Sequence, residues 1–91
     1  MINANDWLNL VWKSDLPPCT KGVCHALADD RAEIGQVSSV SMEALMLRLA
    51  MRERTIRTHL AIAETLGLVN VGIRGDEIHY HLRMPEGGIE A

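Results

Sequence analysis

Phenylalanine is absent from the 91 residues, and the aromatic side chains are only Trp7, Trp12 and Tyr80. A core without aromatic bulk has to be built from Leu, Ile, Val, Met and Ala, which suits short packed helices with a little sheet. Cysteine occurs only as Cys19 and Cys24. Five residues apart on one helix they point roughly 140° away from each other, so they read as reduced thiols of a cytoplasmic protein. No apolar run approaches the roughly 20 residues of a membrane span, and Met1-Ile2-Asn3-Ala4-Asn5-Asp6 lacks the character of a signal peptide. No Gly-rich phosphate loop is present. Cys24-His25 has no acid positioned by sequence to complete a nucleophilic triad, so no enzyme activity is expected. His79-x-His81 places two imidazoles on one strand face, but no third ligand follows at a persuasive spacing. Neither a metal nor a cofactor is therefore expected.

What remains is a chain with 47% apolar residues and room for one hydrophobic core. Stability on the order of 5 kcal/mol is expected at this size, and dimerisation or attachment to a larger protein would add to it. The net charge of −3 argues against a strongly cationic nucleic-acid binder, but its distribution is uneven. Met1 to Leu47 carries three basic residues against six acidic ones; Arg48 to Arg83 carries six arginines against four acids; the tail adds Glu86 and Glu90. The middle is arginine-rich and free of lysine, and the ends are acidic.

Asn5-Asp6 is placed to cap a first helix through Trp12, with Leu8, Val11 and Trp12 on one face. Pro17-Pro18 opens a second helix from Cys19 to about Arg31, with Val23, Ala26 and Leu27 inward. Gln36 to Val40 reads as a short extended stretch. Ser41 is a good N-cap for a helix over Met42 to Leu49, whose Met42, Leu45, Met46 and Leu49 cluster on one arc. Ala50-Met51-Arg52 is a tight connector to a longer helix from about Glu53 to Leu66. That helix turns Ile56, Leu60, Ala63 and Leu66 to one side, and Gly67 stops it. The hydrophobic period then changes from helical to alternating. Val69, Val71 and Ile73, then Ile78, Tyr80 and Leu82, flank Gly75-Asp76 and predict a β-hairpin. Residues 1–14 thus form an N-terminal helix, 15–84 the main domain, and 85–91 a linker-like tail containing Pro85-Glu86-Gly87-Gly88.

Two short helices joined by a tight turn cannot bury their apolar faces alone. They need the preceding helix as a third wall and the hairpin over the open side. The helix after the turn then keeps a polar face outward, at a width that fits the major groove of DNA. That face offers Arg54, Arg57 and Thr58: Arg suits guanine edges and phosphates through its planar fork, and Thr suits a base edge or a thymine methyl. Ala61 allows close approach further along. Arg52, at the helix start, and Arg74, near the hairpin tip, are candidates for the phosphate backbone.

The stretch Leu45 to Val69, LMLRLAMRERTIRTHLAIAETLGLV, resembles the winged-helix pattern of phage and plasmid replication proteins of the lambda-O type, a pattern that many bacterial transcription regulators share. Thr55-Ile56, Leu60 and Leu66-Gly67-Leu68-Val69 match it, as do Ala26-Leu27-Ala28-Asp29 and Ser41 upstream. Two positions depart from it: Arg52 stands where a capping Ser is usual, and Ala63 replaces a larger core residue. The resemblance, which covers roughly Asp15 to Leu82, implies a mainly α winged helix-turn-helix with a three-helix core, a short strand and a two-stranded wing, to which the residues before it add an extra N-terminal helix. It implies sequence-specific binding of double-stranded DNA in replication initiation or regulation on a prophage or similar element, or a winged-helix transcriptional regulator.

Other readings of the same residues stand beside this one. Arg54 and Arg57 could form a solvated helix face near Glu53 and Glu64, in a winged helix that serves as an adaptor for a replication or regulatory protein. Leu47 and Ile62 lie off the core arcs and read as ordinary exposed apolar residues or as part of a dimer surface. Trp7 and Trp12 suit core anchors, or a homodimer contact through the N-terminal helix. His25 and His59 read as partly buried helix residues, and Met42, Met46 and Met51 as core filler.

Overall fold

A computed structural model of the protein describes residues 4–28 and 36–84. It contains four helices and a three-stranded antiparallel sheet in the order α1 (Ala4–Lys13), α2 (Pro18–Ala28), β1 (Ser38–Ser41), α3 (Met42–Leu49), α4 (Glu53–Thr65), β2 (Val69–Arg74) and β3 (Glu77–Leu82). The strands lie in the order β1-β3-β2, so the extended stretch before α3 joins the hairpin in one sheet. The expected tail, Pro85 to Ala91, and the expected end of the second helix through Arg31, Asp29 included, fall outside the described residues.

Helix α1 buries Trp7 and Val11, one turn apart, and leaves Trp12 half exposed. This corrects the expected face of Leu8, Val11 and Trp12; Leu8 is only partly buried. The cause is polar as well as apolar. The Trp7 indole N–H needs an acceptor when buried, and it donates at 2.9 Å to the carbonyls of both Leu68 and Arg83. Arg83 in turn donates its N–H to Leu68 at 2.8 Å. Trp7 therefore fastens α1 to the two strand ends where the hairpin begins and finishes. The N-terminal helix shares one core with the remainder of the described residues.

Helix α2 seals Val23, Cys24, Ala26 and Leu27 against that core. Two polar contacts fix its ends: Thr20, wholly buried, bonds His59 of α4 at 2.8 Å, and the Tyr80 hydroxyl donates to the Leu27 carbonyl at 2.8 Å. His25, expected to be partly buried, is exposed and meets the edge of Trp12 with ring centroids 6.1 Å apart. His59 is partly buried.

Helix α3 starts at Ser41, whose hydroxyl accepts the Ala44 N–H at 2.9 Å. Asp76 of the hairpin turn supplies the rest of the cap: its carbonyl accepts the Met42 N–H at 2.6 Å and its carboxylate the Glu43 N–H at 3.3 Å. Ala50 closes α3 with φ 53°, in the left-handed region that favours glycine. Helix α4 ends in a Schellman arrangement, with Gly67 at φ 77°, Gly67 N–H bonded to Glu64 and Leu68 N–H to Ala63, both at 3.0 Å. Leu47 is 77% exposed, but Ile62, expected beside it on the surface, is partly buried against the core.

Candidate functional site

Helix α4 is the element whose outward side carries the candidate residues. Ile56, Leu60 and Ala63 are sealed on its inner side, which forces Arg54, Arg57, Thr58 and Ala61 into solvent. The helix thus presents guanidinium groups over its first two turns and a methyl-sized surface at Ala61. Arg52, at the N-cap position, is exposed and makes no side-chain capping bond, so the first turn lacks the stabilisation of about 1 kcal/mol that a Ser would give there.

The two arginines of this face are not equivalent. Arg57 donates from Nε to the Glu53 carboxylate at 2.9 Å, an i,i+4 pair with both side chains about half exposed. Such a pair is worth about 0.3–0.5 kcal/mol, weak enough to be exchanged for another anion. Among the described residues, Arg54 makes no ion pair or side-chain hydrogen bond, and Arg52 and Arg74 are likewise unengaged. Thr58 donates its hydroxyl proton back to the Arg54 carbonyl at 3.0 Å. That leaves its oxygen lone pairs and its methyl to face outward.

The hairpin lies beside this helix and not beyond it. A hollow of about 300 Å³ separates α4 from β2, floored by Leu60, Ala61, Val71 and Ile73 and flanked by Arg57 and Glu64. The Glu64 carboxylate crosses to accept the Val71 N–H at 3.0 Å. Arg74 is exposed on the other side of the strand, where it pairs in register with Glu77. Because Asp76 is committed to α3, the hairpin tip is tied down and carries an acid. Of the expected set, Arg52, Arg54, Arg57, Thr58 and Ala61 share the α4 segment, whereas Arg74 belongs to the outer sheet surface. That surface also holds a hollow of about 400 Å³ lined by Val37, Gly72, Ile73, Arg74 and His79.

Sequence reasoning set Glu53 and Glu64 near the arginines but missed where the carboxylates of Glu64 and Asp76 bond. Glu53 as the partner of Arg57 is legible in the i,i+4 spacing. The contacts of Glu64 with Val71 and of Asp76 with α3 depend on the sheet lying against both helices, and no local spacing announces them. His79 and His81 do not converge. His79 Nε2 lies 3.7 Å from the Glu77 carboxylate, and His81 Nε2 lies 3.0 Å from the Asn70 amide. Among the described residues no three His, Cys, Asp or Glu side chains are grouped to hold a metal ion, and no helix is long and apolar enough to cross a membrane. Burial pushes the Cys24 thiol up to about 12, so at neutral pH it is protonated packing material, while Cys19 is exposed. Set against known proteins, the chain matches no protein-family model, no curated protein and no solved structure.

Proposed function

We propose that this chain is a winged helix-turn-helix domain that binds double-stranded DNA sequence-specifically, with α4 as its recognition helix. The observation that carries the proposal is the outward arc of α4, where Arg54, Arg57, Thr58 and Ala61 stand in solvent on a rod sealed behind by Ile56, Leu60 and Ala63. A helix about 10–12 Å across fits a major groove about 12 Å wide. The layout agrees with such a domain: helix, strand, two helices joined through the Ala50 turn, then a hairpin whose second strand pairs with the first. In this arrangement Arg54 is the foremost base reader, and Arg57 reaches a guanine or a phosphate by leaving Glu53. Thr58 offers its methyl to thymine, Ala61 gives clearance, and Arg52 and Arg74 meet phosphates. The resemblance in sequence suggests replication initiation or its regulation on a phage-type element as the setting.

Fluorescence anisotropy against a panel of labelled duplexes tests the proposal. Arg54→Ala is expected to weaken binding to the preferred duplex by about 1–3 kcal/mol and to blur discrimination at one base position. If every duplex is indifferent to both Arg54→Ala and Arg57→Ala, the assignment is finished. One observation favours a second reading: Leu47 is 77% exposed, one turn beyond the exposed Ala44 on the same side of α3. An adaptor docking through α3 would capture a protein partner and give no duplex shift even at low salt.

A further inference from the structure

Strand β2 is an edge of the sheet, and its register fixes which main-chain groups are used. Arg83 N–H bonds the Leu68 carbonyl, and Arg74 pairs with Glu77 across the tight turn. In an antiparallel ladder the bonded positions alternate, so Asn70, Gly72 and Arg74 face β3 while Val69, Val71 and Ile73 turn their N–H and C=O groups to the open edge. The Glu64 carboxylate occupies the Val71 N–H. Among the described residues a single acid side chain bonds this edge, and an edge strand so covered is a template for another strand.

The face beside this edge is complementary to itself. Arg57 and Glu64 lie two helical turns apart on α4 and flank the same hollow, with Leu60 and Ala61 midway between them. Turned antiparallel, a second α4 sets its Glu64 opposite Arg57 and its Arg57 opposite Glu64, and Ala61 at the centre lets the rods approach. On the strand, Gly72 is the residue midway between Val71 and Ile73, and a side chain added there would meet nothing within 4 Å. We propose that the open edge of β2 and the α4 face beside it form a self-association surface, on which a second copy of this chain docks antiparallel about a two-fold axis near Gly72.

In the pair, Val71 of one copy and Ile73 of the other exchange N–H···O=C bonds in both directions, and the sheet runs through both copies. Glu64 gives up the Val71 N–H and takes the second copy's Arg57, which releases Glu53. Arg57 and Ala61 are then covered. The pair therefore cannot hold a duplex on the same face, and DNA competes with self-association. The inference stands on the edge and its charges, independently of DNA binding.

Sedimentation equilibrium with the whole chain is the test. The mass is expected to rise from 10.1 kDa toward twice that value as concentration is raised. Glu64→Arg, which sets arginine against arginine, should hold the mass at one copy. Arg57→Glu combined with Glu64→Arg should restore the doubling, while duplex binding, deprived of Arg57, is weakened. Amide hydrogen exchange needs no variant: the Ile73 N–H should gain protection when the wild-type chain is concentrated. A mass that never rises, a doubling that Glu64→Arg leaves untouched, no recovery in the swapped pair, or an Ile73 amide indifferent to concentration would each overturn the proposal. Loss of duplex binding alone would leave the doubling in place and remove only the DNA assignment.

Discussion

Replacing Glu53 by Gln should tighten duplex binding, an outcome that separates an arginine held in reserve from one spent on internal structure. Arg57 is held by Glu53 at 2.9 Å with both side chains about half in water. When Arg57 turns to a base or a phosphate, that contact of about 0.3–0.5 kcal/mol is surrendered. Glu53→Gln removes this cost in advance. It also removes one negative charge beside the path of the phosphates, a repulsion of about 0.6 kcal/mol at roughly 7 Å in water and less once salt screens it. Together the two effects predict a gain of roughly 0.5–1 kcal/mol, or about two- to five-fold in Kd.

Anisotropy titrations at low salt give that ratio, and a double-mutant cycle apportions it. In an Arg57→Ala background the part due to the ion pair should vanish and only the repulsion should remain. The substitution also withdraws an acid from the first turn of α4, at a stability cost of about 0.3–1 kcal/mol that urea unfolding measures separately. Unchanged or weaker binding by a folded Glu53→Gln protein would refute the reasoning. It would mean that Arg57 does not move from its partner to the duplex.

Trp7→Phe removes the indole donor and leaves a small void. The Leu68 carbonyl keeps its bond from Arg83, so the expected loss is about 2–4 kcal/mol by urea unfolding, against less than about 0.5 kcal/mol for Trp12→Phe; equal effects would show that the two tryptophans are equivalent. Cys19 should react with a thiol reagent in the native state and Cys24 should not. Burial raises Cys24 from 9.0 to about 12 in the folded chain, so its contribution to stability is complete below pH 9 and is lost as pH climbs toward 12. The urea midpoint should fall over that window, and Cys24→Ala should flatten the fall.

The helices after the first, the hairpin and the α4 face were legible because each rests on local periodicity and local caps. Ser41 before Met42, Gly67 after Leu66 and Gly75 between alternating runs act within a few residues of themselves. The α1 face was misjudged for the opposite reason. Leu8, Val11 and Trp12 make a reasonable apolar stripe by spacing, but the helix is oriented by the Trp7 indole, whose acceptors lie 61 and 76 residues away. Ala50 in a left-handed conformation is equally silent in the sequence, since alanine gives no sign of a turn that glycine would announce. At the site the arginines were identifiable by type and spacing. The acids that modulate them were only half visible, because Glu64 and Asp76 act across the gap between helix and sheet.

The surplus of acid in the chain bears directly on how a duplex would be held. Near α4 the carboxylates are engaged locally: Glu53 by Arg57, Glu64 by the Val71 N–H, Asp76 by the start of α3. Each still carries charge, but each is pinned by a positive or partly positive group. Among the described residues, the arginines left over on α4 and at its N-cap are Arg52 and Arg54, with Arg57 as a third once it leaves Glu53, while Arg74 stands on the outer sheet surface. Phosphate contacts from Arg52 and Arg74, with Arg57 as a third where it takes a phosphate, predict a slope of log affinity against log salt of about −2 to −3, and hence roughly 15- to 60-fold weaker binding at 200 mM than at 50 mM salt. A chain of net charge −3 should then bind random duplex poorly and owe most of its affinity to base contacts from α4. A slope near zero would show that no phosphates are met and would favour the α3 adaptor. A slope steeper than about −6 would demand more cations than this face supplies, and would place the duplex elsewhere on the molecule.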